Sequence, residues 1–308
     1  MRILFMGTTV FSKVILDLLI EEGYDVMGVV TQPDRPFGRK RILKASVVKE
    51  RALEKGIAVY QPEKIKESIE AINGLGADLI VTCAYGQIVP IEIIEKPKYK
   101  AVNVHASLLP KYRGGAPIHW SIIKGENKTG LTLMEMDAGM DSGNMIAKKE
   151  VIISIEDTMG DVEAKLMAVA EPLIRNDLKS YLKGEIQSVS QNEHDVSYAY
   201  TIQKKDEHIN FNQDVMNVYN HIRGLIPWPV SFALLEGERV KFHQVKLVQA
   251  NHSFASGTIM KVHKEGVDIA CEGGYVTITK IQPFGKPTMD AIDFYNGFNN
   301  EWEGKVFK

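Results

Sequence analysis

The amino-acid sequence predicts an α/β protein: a doubly wound, mostly parallel sheet, followed by a smaller all-β domain, a barrel or a sandwich. Three observations carry this reading. Strand-like apolar runs alternate with helix-period segments through the first third of the chain. Some of those runs are apolar without alternation, as strands covered on both faces are. In the last third, short strands follow one another with glycine-bearing turns between them.

The elements follow in order. "RILFMGT" is a strand running into a glycine turn, and "VFSKVILDLLIEEG" continues with helical spacing. "YDVMGVVTQP" is a second strand, ended by proline. "ASVVKERALEKG" is an amphipathic helix closed by Gly56, and "IAVYQP" a third strand. A polar helix leads to "ADLIVTCAYG", apolar enough to be buried on both faces, and "KAVNVHAS" is the fifth strand. In such a sheet a ligand lies beyond the carboxyl ends of the strands. The stretches to inspect are therefore "GTTVF", "TQPDRPFGRKR", "YGQIVP" and "NVHASLLP". A polar stretch without a clean period then reads as a linker. After the short helix "VMNVYNHIRGL" come the strands "SFALLEG", "RVKFHQVKLV", "SGTIMKVH", "GVDIACEGG" and "YVTITKIQP". The expected division is residues 1–185, a linker over 186–208, and a β domain over 209–308.

At 308 residues the chain is long enough for two apolar cores. A net charge of −2 points to neither nucleic acid nor membrane, so a polyanionic partner would have to meet a local patch. The apolar runs are too short and interrupted to span a bilayer, and the N-terminus does not read as a secretory signal. Cys83 and Cys271 are far apart and read as buried thiols in a reducing cytoplasm, which is the expected location.

The first glycine turn lacks the Gly-x-Gly-x-x-Gly pattern: Gly7 stands alone, and Thr8 and Thr9 would crowd a pyrophosphate. It reads as a tight strand-to-helix turn and argues against NAD. Asn103 and His105 are two apart on a strand and share a face. An amide and an imidazole N–H are donors that can be aimed at a developing oxyanion. Taken alone, such a pair more often caps loop carbonyls inside a core. The surroundings favour chemistry: Ser107 to Pro110 form a stiff turn suited to a flat ring, and Gly114 and Gly115 let the backbone approach a ligand. Asp137 and Asp141 lie on the glycine-punctuated loop "MDAGMDSG"; either can be a turn former, or can orient and charge His105. No nucleophile elbow and no metal-ligand cluster stands out, and His119, His194 and His208 are scattered. The densest basic segment runs from Arg35 through Arg39, Lys40, Arg41 and Lys44 to Lys49 and Arg51. A charge run is usually a solvated face, but this one follows a strand on the ligand edge, where phosphate contacts are plausible chemistry.

With Asn103, His105 and Asp141 in one pattern, "NVHASLLPKYRGGAP" plus "MDAGMDSG", the sequence resembles the folate-dependent formyltransferases. "TQPDRPFGRKR", "VTCAYGQIVP", "GLTLMEMDAGMDSG", "IRGLIPWP" and "KIQPFGKP" extend the resemblance over essentially the whole chain, towards the branch that formylates charged initiator tRNA. The resemblance implies a Rossmann-like catalytic domain and a C-terminal barrel of the oligonucleotide-binding sort that helps hold the tRNA. It implies Asn103, His105 and Asp141 as the catalytic group. It implies Ser107, Leu108, Leu109 and Pro110, with Tyr85, Gly86, Gln87, Ile88, Val89 and Pro90, around the folate. The loop from Asp34 to Lys49 would reach the tRNA acceptor end through Arg35, Arg39, Lys40, Arg41 and Lys44, with Arg39 at the family's recognition position. Where many relatives have Gly-Arg-Gly, this loop has Lys40 in place of the second glycine.

The chemistry implied is attack of the α-amine of charged initiator tRNA on the formyl carbon of 10-formyltetrahydrofolate. Asn103 and His105 would stabilise the oxyanion, and Asp141 would assist proton transfer. No metal is called for, no membrane is involved, and a monomer is expected. The rival reading is a formyltransferase acting on a nucleotide-linked amino sugar, with the same trio and without this basic loop. A glycinamide ribonucleotide enzyme would lack the C-terminal domain. A non-catalytic tRNA-binding protein would have no need of the trio.

Overall fold

The computed structural model describes residues 1–37, 42–298 and 301–308. The strands in the first part of the chain are β1 (Arg2–Gly7), β2 (Asp25–Val30), β3 (Arg35–Phe37), β4 (Ile42–Lys44), β5 (Ala58–Tyr60), β6 (Leu79–Cys83), β7 (Ala101–His105), β8 (Lys128–Glu135) and β9 (Met145–Ile152). Those after them are β10 (Phe232–Leu235), β11 (Glu238–Gln249), β12 (Ile259–His263), β13 (Gly266–Cys271), β14 (Gly274–Gln282) and β15 (Met289–Asp290). The large sheet has the order β5-β2-β1-β6-β7-β8-β9. Its members from β5 to β7 are parallel, and β8 joins β7 antiparallel. β6 is buried at every position and β1 at every position but Arg2, which is why their sequences are apolar without alternation. The strand order reverses between β1 and β6, the switch point of a doubly wound sheet.

Local chemistry shapes this corner. Thr9 caps the helix Val10–Glu21 in a reciprocal capping box with Ser12. The Ser12 hydroxyl donates to the Cys83 carbonyl at 2.6 Å, and Thr8 donates to the Tyr85 carbonyl at 2.9 Å. A Cβ on Gly7 would lie 2.6 Å from the Ser12 Cβ and 2.9 Å from the Cys83 oxygen. The glycine therefore serves close packing of the helix on the strand ends, as expected of a structural turn. β3 and β4 form a hairpin with Arg35 opposite Lys44, on which Ile42 and Leu43 are exposed.

The chain divides into two compact units: Met1–Pro117, Thr129–Val151 and Glu163–Tyr200 in one; Ile118–Lys128, Ile152–Val162 and Thr201–Lys308 in the other. In the first, the polar stretch after residue 185 is laid along the fold, with bridges from Val189 to Met145 and from Tyr198 to Arg113. In the second, the antiparallel order is β10-β11-β14-β13-β12, with β15 on β14. Its two edges are joined by the C-terminal tail. Leu234 N donates to the Lys308 carbonyl at 2.8 Å and Lys308 N to the Leu234 carbonyl at 2.9 Å. On the tail's other side, Ile259 N donates to the Lys305 carbonyl at 2.8 Å and Phe307 N to the Gly257 carbonyl at 2.9 Å. The tail thus closes a small barrel, and the fold is the expected one: a Rossmann-like sheet followed by an antiparallel β domain.

Candidate active site

β7 carries Asn103 and His105 on one face. Thr82 stands opposite Asn103 on β6, and its hydroxyl donates to Asn103 Oδ1 at 2.8 Å. That bond fixes which end of the amide is which: the nitrogen is turned away from Thr82 and lies 3.5 Å from Asp141 Oδ1. Asp141 comes from the loop between β8 and β9. This loop starts at the foot of β7, where Met136 N donates to the Ala101 carbonyl at 2.9 Å, and folds back over the strand. Asp141 Oδ2 accepts the Gly114 N–H at 2.8 Å and lies 3.5 Å from His105 Nδ1. The other ring nitrogen, Nε2, is 2.9 Å from the Tyr112 carbonyl, which can only accept, so Nε2 donates there. One carboxylate thus faces an amide, an imidazole and a backbone N–H. His105 is 6% exposed and Asp141 20%, so the cluster is shielded but open to a ligand.

The backbone around it is unusual. Tyr112 and Asp141 have φ of 63° and 50°, a conformation that costs a non-glycine residue roughly 1–3 kcal/mol unless its surroundings impose it. Gly114 has φ of 119°, and a Cβ there would lie 2.8 Å from the Ala199 carbonyl oxygen. Only glycine fits beside Asp141 at this point. A cavity of about 390 Å³ lies next to the loop, lined by Ile91, Glu95, Met136, Asp137, Ala138 and Asn144 among others. Met136 belongs to both places: its sulfur is 3.2 Å from the Thr82 hydroxyl.

The catalytic trio inferred from the sequence is therefore brought together, and of the two loop aspartates it is Asp141 that joins it. Asp137 accepts from Gly139 N at 3.0 Å and from the Ser142 hydroxyl at 2.9 Å, the bonds of a turn former. The residues expected around a folate are placed differently from one another. Ser107 and Leu109 are fully buried; the Ser107 hydroxyl donates to the Lys111 carbonyl and Leu109 N to Thr132 Oγ1. Leu108 and Pro110 are half-buried. Gln87 binds Ile65 N through its side-chain oxygen at 2.8 Å, Gly86 lies beside Gln32, and Ile88 is exposed. Val89 is buried in the apolar cluster that also holds Tyr85, with Pro90 half-buried beyond it. Burial pushes the Tyr85 phenol up to about 12, and its hydroxyl has no hydrogen-bond partner among the described residues. The cavity wall comes from the adjoining Ile91 and from the loop after β8.

Arg35 pairs with Glu63 at 2.9 Å, and Lys49 with Asp34 at 2.7 Å. Lys44 is exposed on β4. Arg39, Lys40 and Arg41 lie outside the described residues. Among the described residues no group of three or more His, Cys, Asp or Glu side chains is placed to hold a metal, and no helix is long and apolar enough to cross a membrane. Three residues that touch the cluster escaped the sequence reading: Thr82, Tyr112 through its carbonyl, and Gln191, whose side-chain nitrogen donates to the Asp141 carbonyl at 2.7 Å. Thr82 was the one with a signal, a lone hydroxyl inside the apolar run of β6.

Residues 1–178 match the Formyl transferase family and residues 201–299 match Formyl transferase, C-terminal domain. A methionyl-tRNA formyltransferase of Streptococcus agalactiae is 45% identical over 305 residues, covering 98% of this chain and 97% of the relative. That of Bacillus subtilis is 45% identical over 303 residues, covering 97% and 96%. Among solved structures, an N-formyltransferase from Helicobacter canadensis in complex with folinic acid and dTDP-3-aminofucose superposes with a TM-score of 0.69 at 20% identity, covering 92% of this chain and 99% of that one. A sugar 3N-formyl transferase in the presence of dTDP and 5-N-formyl-THF gives 0.67 at 20%, covering 93% and 99%. These two share the fold.

Proposed function

The chain belongs to the formyl transferase family, and from that premise we propose that it transfers a formyl group from 10-formyltetrahydrofolate to the α-amine of methionyl-tRNA. The acceptor follows from the 45% identity with methionyl-tRNA formyltransferases over nearly the whole of both chains. The observation that carries the chemistry is the single carboxylate of Asp141 shared by Asn103, His105 and the Gly114 N–H.

The cavity lining offers both apolar surface and acceptors for an amino-bearing ring. Ile91, Met136 and Ala138 supply apolar walls, and Glu95, Asp137 and Asn144 supply polar groups at its edge. Tyr85, clustered with Ile91 and Met136, has a buried hydroxyl that a polar ligand atom would satisfy. The co-substrate supplies an electrophilic formyl carbon carried on a nitrogen. Asn103, its oxygen held by Thr82, donates through Nδ2 to the formyl oxygen as negative charge gathers there. His105 adds a second donor when its Nε2–H leaves the Tyr112 carbonyl. Asp141 accepts the proton shed by the attacking amine and passes it to the folate nitrogen as the oxyanion collapses to a carbonyl and the bond from the formyl carbon to that nitrogen breaks, which releases tetrahydrofolate. Asn103 and His105 each lie 3.5 Å from a carboxylate oxygen of Asp141 before substrate arrives, which is the preorganisation such stabilisation requires.

The test is an acceptor comparison with one formyl donor, 10-formyltetrahydrofolate. Formylation of methionyl-tRNA, with none of a dTDP-linked amino sugar, is the expected result. The reverse pattern would overturn the acceptor and leave the family intact.

A further inference from the structure

We propose that Gln191 is a positioning residue for Asp141, and that the stretch around it completes the active site. It lies between the two segments that match the family, in the polar stretch after residue 185. The residue is only 9% exposed, and its carboxamide makes three hydrogen bonds. Nε2 donates to the carbonyls of Asp141 at 2.7 Å and Gly143 at 2.8 Å, and Oε1 accepts from Arg113 Nε at 3.0 Å. One amide thus ties down the carbonyl of Asp141 and that of the second residue beyond it. Asp141 is the residue of this loop held at a φ of 50°, and its carboxylate must face β7 for the cluster to form.

The anchor for Gln191 is part of the same site. Arg113 is 3% exposed and grips Glu193 through Nη2 at 2.8 Å. Its backbone is docked on both sides: Arg113 N donates to the Ser197 carbonyl at 2.8 Å, and Ala199 N donates to the Arg113 carbonyl at 2.7 Å. Arg113 stands between Tyr112, whose carbonyl accepts from His105, and Gly114, whose N–H donates to Asp141. A displacement of Gln191 would therefore be felt by the carboxylate and by the segment that contacts the imidazole. An amide is suited to the task because it offers two donors to two carbonyls and one acceptor to a guanidinium. Glutamate offers no donor, and methionine fills the volume and offers neither.

The proposal rests on the reading of Asn103, His105 and Asp141 as the reacting cluster, so its test includes Asp141. Steady-state formylation of methionyl-tRNA is measured for wild type, Gln191→Met, Asp141→Ala and the double variant, with thermal melts to verify folding. Gln191→Met should lower kcat about ten- to hundredfold, with KM for both substrates within about twofold of wild type, as for a small misplacement of a reacting group. The double variant should be no slower than Asp141→Ala alone, because Gln191 acts through Asp141. Losses that multiply would overturn the proposal, as a purely structural residue behaves that way. So would a Gln191→Met enzyme with wild-type turnover beside an inactive Asp141→Ala. Wild-type turnover in Asp141→Ala would instead overturn the reading of the trio, and the two failures are thereby told apart. If Gln191→Met does not fold, Gln191→Asn carries the same comparison: it keeps the amide but is one methylene too short to span both carbonyls.

Discussion

Asn103, His105 and Asp141 illustrate how a residue's meaning depends on what holds it. An amide nitrogen is aimed at an oxyanion only if something sets which way the amide turns, and here the Thr82 hydroxyl holds its oxygen. His105→Ala removes one donor and should lower the transfer rate about a hundred- to a thousandfold while leaving the protein folded and able to bind folate. Single-turnover transfer together with folate binding checks this; near wild-type transfer would take His105 out of the chemistry. A second histidine predicts a stability effect. Burial alone would lower the pKa of His263, but the carboxylates of Glu265 at 2.8 Å and Asp268 at 3.1 Å outweigh burial and raise it above the ordinary 6.5. The folded state therefore favours the charged ring. Its contribution is complete below the ordinary histidine value and fades as pH rises through the raised one. Melting temperature followed upward from pH 6.5 should fall less steeply in His263→Gln than in wild type. Equal slopes would show that the pair contributes nothing to the pH dependence.

At the scale of elements, periodicity was the readable signal. The strands from "RILFMGT" to "KAVNVHAS" and from "SFALLEG" to "YVTITKIQP" are found where their apolar patterns place them. The two-residue step from Asn103 to His105 likewise puts both side chains on one face, as the period of a strand requires. What has no period was not readable. The C-terminal tail is four residues of mixed type, yet it joins both edges of the antiparallel sheet. Phe307 within it is 4% exposed and packs against Phe211, Phe242 and Trp302. Phe307→Ala should cost about 3–5 kcal/mol, the range for emptying a buried aromatic site. Urea unfolding followed by tryptophan fluorescence measures it. A loss under about 1 kcal/mol would show that the tail decorates the barrel rather than closing it, since surface positions fall below that range.

For the molecule as a whole, a net charge of −2 leaves the attraction for tRNA to local patches. Arg35 and Lys49 are paired with Glu63 and Asp34, and Arg51 with Asp17 and Glu54; the expectation is tested at Arg39 and Arg41, which lie outside the described residues. Replacing both Arg39 and Arg41 by Ala should weaken tRNA binding and flatten its salt dependence by about one to two units of slope, with folate affinity unchanged. Filter binding across a salt series checks this. An unaltered affinity and slope would make the segment a solvated surface. Arg39→Lys separates charge from the paired hydrogen bonds of a guanidinium.

The sequence by itself determined the layered class of the fold, the alternation that builds the parallel sheet, the barrel strands and the shared face of Asn103 and His105. All of these are consequences of periods of two or 3.6 residues and of short-range turn chemistry. Tertiary structure alone decided that Thr82 orients the Asn103 amide and that Gln191 grips the Asp141 loop; it also sets Asp141 rather than Asp137 beside the imidazole, a choice that residue types and spacing left open and only the family resemblance made. Each of those depends on a pairing between segments far apart in the chain, 21 residues for Thr82 with Asn103 and 50 for Gln191 with Asp141. A polar side chain in a stretch without a period carries no mark of the carbonyl it will meet. That partner is chosen when the sheet, the loop and the returning chain pack together, because a buried polar group left without one is costly.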